Sequence, residues 1–487
     1  MTDSDIAATV TSDGPGQPTT GSLKSDTVGT THIVAMVVAS AAPIGAAVSL
    51  IPLGILLGNG LGTPGAIVLV ALTLAIFAIG YVRILPHIRN TGAFYAYITA
   101  GLGRPVGLAS AYVLSLSYIV CGASLVGGFS FFAKEAAEQY FHLDIPWIFI
   151  GIIGIAAAAA LAICGVAVTA RVLFVILALE LLALLVVDAM ILFHNEFPAF
   201  TLSVFKPSHI FSGSVGVAAI YALALFMGFE GTAIYTEEAK DPQRTVPRAT
   251  FWIIGFIGAF YTISAWAMVA GTGADNLVPT VGQDPGGFVF GLSDQYVGHV
   301  WTHIITLLNL FSLFAGIIAF QNAGARYMYA LARDGMLPRI FGRTHAKHST
   351  PWVGLTVISI IFALLSITYA AGGLDPLLEM ATSLVGLGTI GLLTMLTVVS
   401  LSIGVFFVRR GNRGVTTVVA PFVATLLLGY CTAAGVRNYD SITGVKTWWI
   451  NNLSWLLVPV FILGLGYALW VRQNRKQAYD CIGKTHV

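Results

Sequence analysis

Two glutamates fall inside long apolar runs of this sequence, and each lies close to a place where a continuous helix is hard to form. Glu180 stands nine residues after Arg171 in the run that ends near Phe193. At about 1.5 Å per residue it sits roughly 13 Å from that charged end, near the middle of a bilayer core about 30 Å thick. A carboxylate at that depth costs several kcal/mol unless it is paired, protonated or bound to a cation. Such a residue can take up and release a proton or a sodium ion during a working cycle; the alternative is a protonated acid that only hydrogen-bonds between helices. The second acid, Glu230, belongs to Phe226-Met227-Gly228-Phe229-Glu230-Gly231. It either meets a bound ammonium group or organises the backbone around it.

The first break is Ser40-Ala41-Ala42-Pro43-Ile44-Gly45-Ala46-Ala47. Pro43 has no N–H and clashes one turn back, so the run is expected to stop and restart there, with Pro43 in the first turn of the new half. The bland alternative is a proline kink. The glycine-interrupted stretch around Gly228 is the second break. Irregular backbone at membrane depth is tolerated where it lines a cavity or is buried in protein, and two broken spans in corresponding halves mark a transporter's binding site. The first break leaves carbonyls near Ser40 to Ala42 and amides near Gly45 to Ala47; the second leaves carbonyls near Phe226 and Met227 and amides near Gly231. Amide-bearing helix starts favour an anion and carbonyl-bearing ends a cation. A zwitterion such as an α-amino acid fits that field. The substrate-binding candidates are therefore Ala41, Ala42, Ile44, Gly45, Ala46, Phe226, Gly228, Glu230 and Gly231.

The elements that must position these residues are membrane spans. The 487-residue chain is 57% hydrophobic and 9% charged, with mean hydropathy +0.85; a soluble domain carries about 25% charged residues. Apolar runs at 32–58, 64–86, 105–132, 146–168, 171–193, 213–236, 248–271, 299–331, 352–371, 377–408, 416–436 and 448–471 predict about 12 transmembrane helices in an all-α polytopic membrane protein. Residues 1–30, rich in Ser, Thr, Gly and Asp, are expected to be a disordered cytoplasmic tail, with no signal peptide pattern. Residues 31–408 form the expected transport core, 409–472 hold helices 11 and 12, and 473–487 form a cytoplasmic tail. With the N-terminus inside, about 20 of the 24 Lys and Arg fall on the inner side, as the positive-inside rule requires. Both termini are then cytoplasmic. The outer loop at about 272–298 reads as a solvated connector rather than a cap.

Other chemistry is not encoded. The net charge of +2 gives no footprint for nucleic acid. The four cysteines form neither a disulfide framework nor a CxxC pattern, and the histidines match no metal-ligand spacing. No P-loop, HExxH or nucleophile elbow is present, so an enzyme is not expected and neither is a cofactor. Asp188, near the outer end of span 5, reads as a surface acid. Asn309, Ser312, Thr382 and Ser383 are mid-span polar residues that read as interhelical hydrogen-bonding groups rather than ligand contacts.

Three groups of residues carry a family resemblance. Gly228-Phe229-Glu230 is followed by Glu237-Glu238-Ala239-Lys240-Asp241-Pro242-Gln243-Arg244-Thr245-Val246-Pro247-Arg248-Ala249; Ala325-Arg326 precedes Ala332-Arg333-Asp334-Gly335-Met336-Leu337-Pro338; and Gly92-Ala93-Phe94-Tyr95-Ala96-Tyr97 precedes span 3. Together they resemble the amino acid–polyamine–organocation (APC) permease superfamily over residues 30 to 470. The resemblance implies a leucine-transporter-like 5+5 inverted repeat with helices 1 and 6 broken, and secondary transport of amino acids or related amines. It also implies that an acid at Glu230 often organises the unwound segment.

The sequence departs from the family pattern at three places. Gly-small-Gly falls on Ile44-Gly45-Ala46; the aromatic gate of many members falls on Ala224, with Phe226 or Phe229 as substitutes; and a lysine in span 5 falls on Glu180. In relatives that lysine stands in for a sodium ion beside spans 1 and 8, so Glu180, with Ser312, is the ion-coupling candidate. Arg89, Glu237, Glu238, Arg244, Arg248, Arg326 and Arg333 are the candidates for a cytoplasmic gate, against the alternative of a solvated loop.

The expected function is a secondary active importer of amino acids working by alternating access, coupled to H+ or Na+, in the plasma membrane of a bacterial cell (the inner membrane). The runner-up is a polyamine or amino-acid-derived amine transporter or exchanger. A transporter-like nutrient sensor is the alternative from another class. The partners are a small-molecule substrate and the lipid bilayer, in a monomer or homodimer.

Overall fold

A computed structural model describes residues 38, 42–88, 94–165, 169–195, 200–231 and 242–482. Every regular element among them is helical. The long ones are α1 Pro43–Leu53, α2 Thr63–Ile84, α3 Phe94–Leu102, α4 Arg104–Phe141, α5 Trp147–Cys164, α6 Thr169–His194, α7 Val215–Ala224, α8 Pro242–Thr272, α9 Leu277–Gln283, α10 Phe288–Tyr296, α11 His299–Arg333, α12 Trp352–Ala371, α13 Thr382–Arg409, α14 Ala420–Arg437, α15 Leu457–Asn474 and α16 Lys476–Cys481.

Ten helical stretches among the described residues are long and apolar enough to cross a membrane. The first, Pro43–His87, carries the second half of span 1 together with span 2, and the shorter apolar helix α7 stands at span 6. Span 3 is α4, span 5 is α6, span 7 is α8, span 8 is α11 and span 10 is α13. The outer connection predicted as a plain connector contains two short helices, α9 and α10, whose Leu277, Val281, Phe288, Val289 and Leu292 are buried. It is packed helical structure, and its apolar side chains at helical spacing are the reason.

Chain-breaking residues set the shape of the first span. Pro43 occupies the first position of α1, and Ala42 before it has φ 46° and ψ 68°. A left-handed alanine costs about 1–2 kcal/mol, so the restart of the helix is held in place by its surroundings. Pro52 lies inside α1. A π-type turn over Gly54–Asn59 follows, with Gly58 off the helical region at φ −97° and ψ −110°. Around this span the packing is close: α1 lies against α6, α7, α8 and α11, and α11 and α13 both pack on α4.

Candidate functional site

The restart of span 1 is capped by a side chain from span 5. Glu180 Oε2 accepts the Ile44 N–H at 3.4 Å and the Ser312 hydroxyl at 2.7 Å. The Ser312 oxygen in turn accepts the Gly45 N–H at 3.3 Å, and the Ala46 N–H donates to the Ala42 carbonyl at 2.8 Å. With Pro43 lacking an N–H, every backbone group at the start of α1 has an account. Of the amides assigned from sequence to an anionic ligand, that of Gly45 is engaged by Ser312 and that of Ala46 by the Ala42 carbonyl in this conformation, while Glu180 takes the neighbouring Ile44 amide. Glu180 stands where a helix start favours negative charge, and it is 3% exposed.

Close helix approach makes this cap reachable. A Cβ on Gly45 would lie 2.8 Å from Leu313 Cδ2 and 3.6 Å from Ser312 Oγ, so glycine is what lets spans 1 and 8 meet at this level. Ile44, by contrast, is fully buried.

The second break lies on the other side of a small cavity from the first. After α7 the chain runs as turns from Leu225 to Glu230. Phe226 N–H donates to Leu223, Met227 to Ala224, Phe229 to Phe226 and Gly231 to Gly228. Gly228 has φ +102°, a region L side chains rarely adopt. Glu230 folds back onto this segment. Its Oε2 accepts the Gly228 N–H at 3.1 Å and its Oε1 accepts the Tyr118 hydroxyl of span 3 at 2.8 Å. Tyr118 stacks on Tyr327 of span 8, with ring centroids 5.3 Å apart.

Between the two breaks is a cavity of about 60 Å³. Ala42, Gly45 and Ala46 line it from span 1, Ser124 from span 3, Met227 from span 6 and Thr382 from span 10. Among the described residues, no charged side chain belongs to the lining. Ser49 also lines it, and its hydroxyl has no hydrogen-bond partner. Phe226, Gly228, Glu230 and Gly231 stand behind this wall rather than in it. Ala224, at the position of the absent aromatic gate, does line the cavity. The proposed substitutes are turned away: Phe226 lies against Gly258 of span 7 and Phe229 packs edge-on against Phe77 of span 2, centroids 6.2 Å apart. Among the described residues, the aromatic that reaches the cavity is Phe320.

Asp188 corrects another expectation. It is 8% exposed and accepts the Ser264 hydroxyl of span 7 at 2.7 Å. It faces protein because Glu180, Ala183, Leu184, Val187, Asp188 and Ile191 form one buried stripe, while Leu179, Leu182 and Leu185 face outward. Both faces of this helix are apolar, so the signal in the sequence was the eight-residue spacing that puts Glu180 and Asp188 on one side of it. Nothing in the sequence pointed to Tyr118 as the partner of Glu230.

Among the mid-span polar residues, Ser312 and Ser383 do bond between helices: the latter interacts with the Tyr369 hydroxyl at 2.7 Å. Thr382 reaches the Thr443 carbonyl at 3.5 Å and also lines the cavity. Neither side-chain polar atom of Asn309 has a partner.

Ala41 of the first break and, among the gate candidates, Arg89, Glu237 and Glu238 lie outside the described residues. Arg244 and Arg248 are exposed near the start of α8, Arg326 is half-buried and Arg333 exposed near the end of α11. Contacts at this end of the bundle include those between Tyr95 and Asp334, the Tyr112 hydroxyl and the Met336 carbonyl at 2.9 Å, and the ion pair Arg104–Asp480 at 2.7 Å. No group of three or more His, Cys, Asp or Glu among the described residues is placed to hold a metal ion.

A many-span helical core with discontinuous spans meeting at a buried cavity is the architecture of a membrane transporter. Residues 29–469 match the family model described as "Amino acid permease", and the chain belongs to that family. It is 24% identical over 451 residues to the branched-chain amino acid permease BcaP of Bacillus subtilis, covering 87% of this chain and 89% of that one. It is 26% identical over 375 residues to the low-affinity putrescine importer PlaP of Escherichia coli, covering 72% and 75%. The fold is shared with a manganese transporter of Eremococcus coleocola at 14% identity and a TM-score of 0.52, over 92% of this chain and 95% of that one.

Proposed function

We propose that this permease is a secondary active importer of a zwitterionic amino acid with an uncharged side chain, driven by the proton gradient. The observation that carries the substrate class is the cavity between the two breaks, whose lining among the described residues holds no charged side chain. Backbone dipoles and hydroxyls are then what meets the ligand's charges, and a ligand of zero net charge is the one such a site desolvates most cheaply. A diamine would bring two ammonium groups to a lining with no carboxylate among the described residues. Glu230, the acid nearest the unwound segment, already serves Gly228 and Tyr118, which supports an organising role for it.

Glu180 supports a coupling mechanism. While ionised, it occupies the start of α1 and opposes a second carboxylate there. Protonation removes that charge and leaves the helix-start field to the substrate's carboxylate, so substrate and proton enter together. Alternating access then carries both across as the spans around the cavity rock, and Ala42, Gly45 and Ala46 move with the restart of span 1. The bacterial plasma membrane with both tails cytoplasmic is the setting favoured by the Lys/Arg distribution. The gate role of the inner arginines remains part of the proposal, with Arg104–Asp480 a further inner contact.

The test is ligand-induced thermal stabilisation of the purified protein over amino acids, their methyl esters and N-acetyl forms, and diamines. Neutral amino acids should raise the melting temperature and the blocked forms should not. Stabilisation by putrescine and not by any amino acid would replace this substrate class with the amine class.

A further inference from the structure

Span 5 buries a second acid for which the transport cycle above has no use. Asp188 lies eight residues beyond Glu180 on the same buried stripe of α6, about 12 Å further toward the outer end. Its hydrogen bond comes from Ser264 of α8. α1, α8, α10 and α11 pack on α6. None of them brings a Lys or Arg to this half of the molecule, since those of α8 are Arg244 and Arg248 and those of α11 are Arg326 and Arg333. The titratable groups they do bring are Tyr261 of α8, Asp294 and Tyr296 of α10, and His299 and His303 of α11; α6 itself adds His194 near its end. An acid buried at membrane depth without a cation is expensive to keep and points to a proton or ion path.

Two unsatisfied polar side chains flank the interval between the acids. Tyr261 lies one turn inward of Ser264 on α8. It is buried, and its hydroxyl has no hydrogen-bond partner. Asn309 lies one turn outward of Ser312 on α11. It is fully buried, and neither its Nδ2 nor its Oδ1 has a partner. A buried polar group left unsatisfied costs about 1–3 kcal/mol, and ordered water with two to four polar partners is the usual remedy.

We propose that Asp188, Ser264 and Tyr261, with water ordered by Asn309, form a hydrogen-bonded relay that delivers protons from the outer side to Glu180. The inference rests on Glu180 being the coupling acid. In each passage the O–H bond of the Asp188 carboxyl breaks and successive O–H bonds re-form along the water and hydroxyl groups. The last bond forms on Glu180, which becomes neutral. Asp188, left as a carboxylate, regains a proton from outside water. No redox change is involved.

The experiment compares wild type, Asp188→Asn, Asp188→Glu, Tyr261→Phe and Glu180→Gln in proteoliposomes, with a neutral amino acid as probe. Uptake driven by an inward proton gradient is measured alongside exchange at equal pH on both sides. Asn retains an acceptor for Ser264 but cannot carry a proton. Asp188→Asn should therefore slow proton-driven uptake roughly tenfold or more, leave exchange near wild type, and flatten the response to outer pH. Asp188→Glu should restore much of the rate. Wild-type uptake and pH response in Asp188→Asn, with coupling lost in Glu180→Gln, overturns the relay and leaves the coupling reading intact. Indifference of both variants overturns both. Should Asp188→Asn fail to fold, Tyr261→Phe decides: it removes one unpartnered hydroxyl, and unchanged proton-driven uptake there overturns the relay.

Discussion

The hydroxyl of Ser312 donates to Oε2 of Glu180 at 2.7 Å, joining span 8 to span 5 at the level where span 1 restarts. Because the same oxygen accepts the Gly45 amide, three spans meet through one side chain. Ser312→Ala should leave the Gly45 N–H and one face of Glu180 without partners, at a cost of about 1–3 kcal/mol. The check is the melting temperature in detergent together with proton-driven uptake; wild-type values of both would remove Ser312 from the site.

Gly45 sits where a side chain has little room. In Gly45→Ala the added methyl meets the tip of the Leu313 side chain at 2.8 Å, which a rotamer change can relieve, so reduced but measurable uptake is expected. Gly45→Leu should abolish uptake while the protein is still made and inserted. Normal transport by Gly45→Leu contradicts the close approach of spans 1 and 8, and recovery of Gly45→Ala by Leu313→Ala would support it.

Glu230 accepts the Tyr118 hydroxyl and the Gly228 amide. Tyr118→Phe deletes the phenol that bonds its Oε1 and should destabilise the protein by about 1–3 kcal/mol. The unwound segment should loosen with it, so hydrogen exchange should quicken at Gly228 and its neighbours. If instead exchange there is unchanged and only substrate affinity for the ammonium group falls, Glu230 binds substrate directly.

Orientation follows from charge. Gln477, exposed on the terminal helix α16, should be on the cytoplasmic side. A Gln477→Cys variant without other cysteines should react with an impermeant maleimide in inside-out vesicles and not in intact cells. Labelling from outside intact cells contradicts cytoplasmic tails.

Much of the fold was legible because the bilayer imposes simple rules. Length and polarity located the spans, Pro43 located the restart of span 1, and Gly228 located the turn that needs a positive φ. Distance from Arg171 put Glu180 at depth. What could not be read was which groups meet. The helix-start amides looked free for a substrate because sequence shows no hint that Glu180 and Ser312, 132 residues apart, converge on them. The same holds for Tyr118 and Glu230, and for the directions in which Phe226 and Phe229 turn. Asp188 was misplaced for a different reason: its nearness to the helix end outweighed the buried stripe it shares with Glu180.

The most direct test is accumulation by wild type and Glu180→Gln in proteoliposomes under an imposed inward proton gradient, with a sodium gradient as the parallel arm. The wild type should concentrate a neutral amino acid under the proton gradient. Glu180→Gln, which keeps the shape and hydrogen bonding but cannot change charge, should bind and exchange the substrate yet fail to concentrate it. A sodium-driven wild type that loses its sodium dependence in the variant would assign Na+ as the coupling ion. Accumulation by Glu180→Gln equal to wild type contradicts the account, and Glu180 is then a structural cap for span 1.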